Sequence, residues 1–232
     1  MHMENQSISR KLIVCDLGLI DYKKAWDLQL KFHQKRRLGE IEDILFLCEH
    51  PHTYTLGKIA EKKNLLYSES ELKKKNINVY DIDRGGDITY HGPGQIIGYG
   101  ILNLGEWKKD THLYLRSLEE VVIKTCKEYE INSGRNDKFT GVWIQNRKIC
   151  AIGIKVSRWV TMHGFAFNVN TDLSLFNGII PCGIQDKAIT SLSAELKKDQ
   201  EINIVKDKVI NNFKDVFEYE IVSSLSLDEI QS

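Results

Sequence analysis

Residues 82–105, IDRGGDITYHGPGQIIGYGILNLG, carry seven of the chain's sixteen glycines and one of its three prolines. Glycines cluster like this where the backbone must take left-handed angles or let another group come close. The core of the stretch, Arg84 to Gln95, sets a guanidinium, an imidazole, hydroxyls and a carboxamide among those glycines. It reads as one wall of a binding site. Arg84-Gly85-Gly86 could cradle an anionic or carbonyl oxygen through backbone N–H groups and the guanidinium. The stretch matches neither G-x-G-x-x-G nor G-x-x-x-x-G-K-[ST], so a nucleotide phosphate is not indicated.

Around this wall the chain reads as mixed helix and mostly antiparallel sheet, an α+β fold. Residues 12–18 and 43–49 are apolar runs of strand length, and HTYTLG after Pro51 is a further extended run. Helical spacing holds from Asp21, a candidate N-cap, to about Arg37, with Gly39 as the stop. Ser68–Lys75 reads as a short surface helix with a serine cap. Residues 77–83 and 96–104 are expected as strands joined by the glycines as one long hairpin loop. Leu115, Leu118, Val122 and Cys126 mark a helix over 111–130, and Val205, Val209, Phe213 and Phe217 mark another near 203–218. Residues 140–145, 148–156 and 161–170 form a meander with a tight turn at Asn146-Arg147. Gly164 lies inside the last of these strands, where glycine marks a bulge or a close ligand approach.

Of the 232 residues, 42% are hydrophobic, enough for one sizeable core, and the chain is read as a single catalytic domain over 1–232. The formal net charge is zero, which argues against a nucleic-acid partner. Arg36-Arg37 and Lys73-Lys74-Lys75 read as solvated surface. No apolar window of membrane-spanning length occurs, and MHMENQSISRKL lacks the apolar segment of a secretory leader, so a cytoplasmic location is expected. The five cysteines are odd in number and contain no C-x-x-C pair, which excludes a disulfide framework and disfavours zinc. His50 and His52 lack a third ligand at metal-binding spacing, so no metal is expected.

Two residues outside the glycine stretch could carry chemistry. Cys182 sits between Pro181 and Gly183, in neither a strand pattern nor a helical stripe, as a nucleophile presented on a turn would. Cys15 and Cys126 read as core. A thiol needs a group to take its proton, and Lys148 opens the uncharged strand segment ICAIGI, where partial desolvation would let an amine act as a base. A hairpin tip in water is the alternative reading of Lys148.

RGGDITYHGPGQ, the upstream Glu49-His50-Pro51, RKICAIGIKV, HGFAFNVN, PCGI and Thr190-Ser191-Leu192 together resemble, in order, the motif series of the lipoyl(octanoyl) transferase family. That resemblance implies the biotin/lipoate protein ligase type of α+β fold, a mostly antiparallel mixed sheet packed by helices. It implies an acyltransferase of lipoate biosynthesis and protein lipoylation. Such an enzyme moves an octanoyl group from octanoyl-acyl carrier protein to a lysine of lipoyl domains, those of 2-oxoacid dehydrogenase complexes and the glycine cleavage H protein. Catalysis would pass through an acyl-thioester on Cys182, with Lys148 as acid/base and with no cofactor. The matched substrate-binding positions are Arg84, Gly85, Gly86, Asp87, Ile88, Thr89, Tyr90 and His91; Ala151, Ile152 and Gly153; and Gly164, Phe165 and Ala166.

Ile149, Ile152, Phe165, Phe167 and Tyr90 are expected to line an acyl channel, and Lys155 and Arg158 to form part of a basic docking face. The enzyme is expected to act as a monomer, without membrane association. Two other activities fit parts of the pattern: an ATP-dependent lipoate or biotin-type protein ligase, and a cysteine thioesterase using Cys182 with His91 or His163.

Overall fold

A computed structural model describes residues 10–180 and 188–231. Its main sheet has seven strands, and β2 (Asp43–Glu49) lies inside it. DILFLCE reads as an unbroken apolar run because both faces of this strand are covered. Ile44, Phe46 and Cys48 point to one core with Phe32 of α1 (Tyr22–Leu38), while Leu45 and Leu47 point to another with Leu118 of α3 (Thr111–Lys127) and Phe213 of α5 (Ile202–Val216). The alternation of side chains along one strand thus sorts the helices onto two faces of the sheet.

The sheet order is β10-β1-β2-β6-β9-β8-β7, with β1 at Lys11–Leu19, β6 at Gln95–Ile101, β7 at Val142–Ile144, β8 at Arg147–Ser157, β9 at Val160–Asn168 and β10 at Ile221–Ser224. β1 pairs in parallel with both β2 and β10, and every other pairing in the sheet is antiparallel. α1 starts and stops where its caps dictate. The Asp21 side chain accepts from the Lys24 N–H, and Gly39 at φ 74° sends its N–H back to Arg36.

The glycine-rich stretch is not a hairpin loop. β4 (Asn78–Asp81) pairs in parallel with β3 (Thr53–Leu56), and a further strand, β5 (Ile88–His91), forms inside the stretch and pairs antiparallel to β3. These three make a second sheet, and β6 that follows enters the large one. A turn at Gly92–Gly94, with φ 78° at Gly94, carries the chain between the sheets. A Cβ at Gly94 would lie 2.6 Å from the Asn170 carbonyl, so the turn needs glycine on grounds of both angle and space. A third core lies under the small sheet, built on Tyr54, Ile88, Tyr90 and Phe176.

Arg36 also departs from expectation. It is buried, donates to Asp43 through Nε at 2.8 Å and pairs with Glu106, so half of the Arg36-Arg37 block is an internal tie. The short helix α2 (Glu69–Lys74) forms as expected, with a capping box between Ser68 and Glu71. α4 (Leu192–Leu196) and α6 (Leu227–Gln231) complete the described α-helices. Among the described residues no helix is long and apolar enough to cross a membrane.

Candidate active site

A cavity of about 850 Å³ opens where the two sheets face each other. One wall is Arg84, Gly85, Gly86, Asp87, Ile88, Thr89 and His91, and the other is Lys148, Ala151, Ile152, Gly153, Gly164, Phe165 and Ala166. Lys148 and every matched substrate-binding position reach it except Tyr90.

Strand alternation sends Tyr90 opposite to Thr89 and His91, into the core under the small sheet. It shares its face of β5 with Ile88, packs edge-on against Phe176 and bonds its hydroxyl to His52 Nδ1 at 2.8 Å. Ile149 and Phe167 likewise lie in the large core rather than at the cavity, one strand step away from the residues that line it. Of the apolar residues expected along a channel, Ile152 and Phe165 line the space.

The two walls touch through glycine. The Gly85 N–H donates to the Ile154 carbonyl at 3.0 Å, and a Cβ on Gly153 would sit 2.9 Å from the Gly85 oxygen. A Cβ on Gly57 would come within 2.2 Å of the Gly86 oxygen. These contacts leave no room for a side chain: those of Gly85 hold the Arg84 wall against β8, and that of Gly57 holds it against the end of β3. Arg84 itself donates to the Thr55 carbonyl and hydroxyl at 2.8 and 3.0 Å. Asp87 is fixed by the Asn64 amide at 2.8 Å.

Lys148 enters the cavity from β8, with Nζ 4.8 Å from the centre of the Trp143 ring, a cation–π distance. Its stem runs past Gly141, where φ is 124° and a Cβ would lie 3.4 Å from the Lys148 Cε and 2.5 Å from the Cys150 carbonyl. The Gly141 N–H is held by Glu119 at 2.9 Å, a fully buried carboxylate that also takes Arg116 and Arg135. The backbone of Lys148 bridges the segment 188–190, donating to the Ala188 carbonyl at 2.9 Å and accepting from Thr190 at 3.0 Å. Lys148 is therefore a cavity residue rather than a solvated hairpin tip.

Cys182 lies outside the described residues. The other four cysteines are buried. Burial pushes the Cys15 thiol up to about 11 and Cys126 up to about 12, and raises Cys48 and Cys150 well above the ordinary range. None of the four lines the cavity, and a thiol kept protonated is a poor nucleophile. Ile180 and Ile189, on either side of the 181–187 segment, both line it.

Two histidines face the cavity and are held differently. His163 bonds Asp83 at 2.8 Å through Nε2, while its buried Nδ1 meets no partner among the described residues. Burial lowers its proton affinity more than the carboxylate restores it, so it is neutral near pH 7 with the proton on Nε2. Asp83, held chiefly by that bond and also by Lys155, stays well below the usual carboxylate range. His91 places Nδ1 3.0 Å from the Gln95 oxygen and Nε2 3.2 Å from the Thr55 hydroxyl, and burial drives its proton affinity far down. His50 spends both nitrogens on Ile20 and Tyr99, at 2.7 and 2.8 Å, and burial lowers it to about 4, an arrangement that suits a structural histidine.

Other lining residues were not legible as such. Tyr22 stacks on His91 at 5.7 Å, and Tyr99, Leu115, Phe139, Thr140 and Asn168 are also among the lining residues. Tyr22 and Leu115 read only as members of helical stripes. A second depression, of about 530 Å³, has Leu30, His33, Arg37, Lys155 and Arg158 among its lining residues. Lys155 spends its charge on Asp83, whereas Arg37 and Arg158 are exposed.

The fold is shared with solved lipoate protein ligases. A putative lipoate protein ligase from T. acidophilum superposes with a TM-score of 0.72 over 97% of this chain and 92% of its own, at 14% identity. A lipoate-protein ligase A bound with ATP superposes at 0.71 over 97% and 92%, at 13% identity. At this identity the likeness concerns the fold.

Residues 21–214 match the family described as the lipoyl protein ligase A/B catalytic domain, and the chain belongs to that family. Its relatives include the octanoyltransferase of Christiangramia forsetii, 50% identical across 92% of this chain and 99% of the relative. The octanoyltransferase of Desulforamulus reducens is 47% identical across 95% and 98%.

Proposed function

We propose that this chain is an octanoyltransferase of lipoate biosynthesis, a single catalytic domain that acts in the cytoplasm as a monomer. It takes the octanoyl group from octanoyl-acyl carrier protein and places it on a lysine of lipoyl domains, including those of 2-oxoacid dehydrogenase complexes and the glycine cleavage H protein. The observation that carries this reading is the convergence of the Arg84–Thr89 wall, the 151–153 and 164–166 segments and Lys148 on one cavity. Its volume of about 850 Å³ falls within the range of small-molecule sites. The relatives named octanoyltransferase support the same reading.

In the proposed reaction the Lys148 amine takes the thiol proton of Cys182. The thiolate attacks the thioester carbonyl, the bond from carbonyl carbon to carrier sulfur breaks, and the carrier leaves as a thiol with the proton held by Lys148. The amine of the incoming lysine then attacks the Cys182 thioester, passes a proton to Lys148, and regenerates the thiol as the amide forms. A thioester lies above an amide in free energy, so the transfer needs no ATP. Cys182 is two residues along the chain from Ile180, itself a cavity residue. Ile152 and Phe165 offer apolar surface to the acyl chain, and each buried CH2 contributes about 0.8 kcal/mol, enough to select chain length by depth. Arg37 and Arg158 are proposed as part of the docking face for an acidic carrier protein.

Incubation with octanoyl-carrier protein is expected to add one octanoyl mass, sensitive to hydroxylamine and absent in Cys182→Ser. Near wild-type transfer by that variant overturns the covalent route. Octanoylation that requires ATP and releases pyrophosphate would instead establish a ligase, and release of free octanoate without an amine acceptor would establish a thioesterase.

A further inference from the structure

Five buried side chains along the cavity form one hydrogen-bonded chain whose direction is set from its Thr190 end. Asn168 Nδ2 donates to the Thr190 carbonyl at 3.0 Å. A carbonyl only accepts, so Asn168 Oδ1 must face Gln95, whose Nε2 donates to it at 2.9 Å. The other hydrogen of that Nε2 goes to the Tyr90 carbonyl at 3.2 Å, which fixes the amide a second time. Gln95 Oε1 therefore faces His91 Nδ1 at 3.0 Å and can only accept. His91 Nδ1 must carry hydrogen.

The far end agrees. Arg84 Nη2 donates to Thr55 Oγ1 at 3.0 Å, and a guanidinium only donates. With Nδ1 carrying the hydrogen, His91 Nε2 is a bare ring nitrogen that accepts the Thr55 hydroxyl hydrogen across 3.2 Å. A second proton on His91 would displace that donor and place a cation close to Arg84. The network thus holds His91 neutral with its proton on Nδ1, and both ring nitrogens are spent on Gln95 and Thr55.

We propose that Gln95 and Asn168 are positioning residues for acyl transfer. Through Thr190 they hold the segment 188–190, whose Thr190 N–H and Ala188 carbonyl bond the backbone of Lys148 at 3.0 and 2.9 Å. Through His91 and Thr55 they hold Arg84 on the opposite wall. One network therefore sets the separation of the two walls at the point where Lys148 enters. The proposal rests on Lys148 being the acid/base of the reaction.

Long-range 15N–1H correlation on the unmodified protein, with histidine labelled, tests the direction without any substitution. The expected result is an Nδ1–H tautomer for His91 from pH 5 to 8, with His163 in the Nε2–H form as the internal reference. An Nε2–H or doubly protonated His91 overturns the proposal.

For Asn168→Asp, which sets a carboxylate against the Thr190 carbonyl, kcat is expected to fall about tenfold or more, with KM for octanoyl-carrier protein within about threefold. Thr55→Val should produce mixed His91 tautomers and a similar kcat loss, and Thr55→Ser, which keeps the hydroxyl, should restore both. A rise in KM with kcat unchanged overturns the positioning role. A Lys148→Met variant measured alongside separates the two readings. Full activity there removes the role of Lys148, whereas a wrong His91 tautomer removes the network alone.

Discussion

The two walls of the cavity are built on opposite plans. The Arg84 wall comes from a three-stranded sheet with short strands, and its shape is set by side-chain hydrogen bonds and glycine contacts. The Lys148 wall belongs to β8 and β9, two long strands paired from Cys150–Phe167 to Ser157–Val160, and its shape is set by a backbone ladder over a large apolar core. Their histidines carry the contrast to the atom. His91 is held by neutral groups with its proton on Nδ1, and His163 by a carboxylate with its proton on Nε2. A ladder tolerates side-chain changes that a wall built from side-chain bonds does not. Substitutions should therefore act on chemistry at one wall and on shape at the other.

The largest effect is expected from Lys148→Met. If this wall supplies acid/base chemistry, kcat falls by about 10²–10⁴ while the thermal midpoint stays near that of the parent. A loss in kcat matched by a collapse in stability would make Lys148 a structural residue and erase the contrast.

Next come the glycines. Gly57→Ala forces a Cβ to within 2.2 Å of the Gly86 oxygen, and Gly164→Ala forces one to within 2.1 Å of the Gly98 oxygen. Both clashes are with backbone, and each is expected to cost about 1–3 kcal/mol in chemical denaturation. Gly98→Ala meets only the Phe165 ring, at 2.2 Å, and the ring can shift. It should change selectivity more than stability, lowering kcat/KM for octanoyl relative to hexanoyl donors.

Acid should unfold the protein through its buried histidines. His50, His91 and His163 all have proton affinities depressed by burial below the ordinary value of 6.5, His50 to about 4. The unfolded chain therefore binds more protons than the folded one below pH 6.5. Stability is full above that value and falls with pH, by up to about 1.4 kcal/mol per pH unit for each group. Denaturation midpoints at pH 7 and pH 5 read this directly, and a midpoint higher at pH 5 would contradict the neutral assignment of both cavity histidines.

The smallest effect is expected outside both walls. Arg158→Glu should raise KM for the carrier protein a few-fold and weaken its dependence on salt, with kcat unaltered. A salt-independent KM in the parent removes the docking face.

Much of this was legible before any coordinates. Asp21 and Gly39 bracket α1, the unbroken run of β2 announces a strand covered on both faces, and Ser68-x-x-Glu71 marks a capped helix. The glycine stretch was legible as a wall because glycine reports backbone geometry. Its internal strand was not, since β5 spans only four residues and takes its partner from β3, more than thirty positions earlier. The turning of Tyr90 away from the cavity follows from that hidden strand. Arg36 was misread because a basic pair looks the same in sequence whether or not Asp43 and Glu106 wait for it. Gln95 and Asn168 lay within stretches already singled out, but their 2.9 Å bond joins positions 73 residues apart, and no local pattern encodes it.

The parallel pairing of β1 with β10, in which Lys11 meets Ile221 and Val14 meets Ser224, bears on how the chain is made. During synthesis β1 finds β2 after some thirty residues, yet its other side stays open until β10, roughly two hundred positions further along, has been made. An unpaired edge of that kind is a template for association with another chain. The nascent protein carries this liability until β10 is made and closes that side.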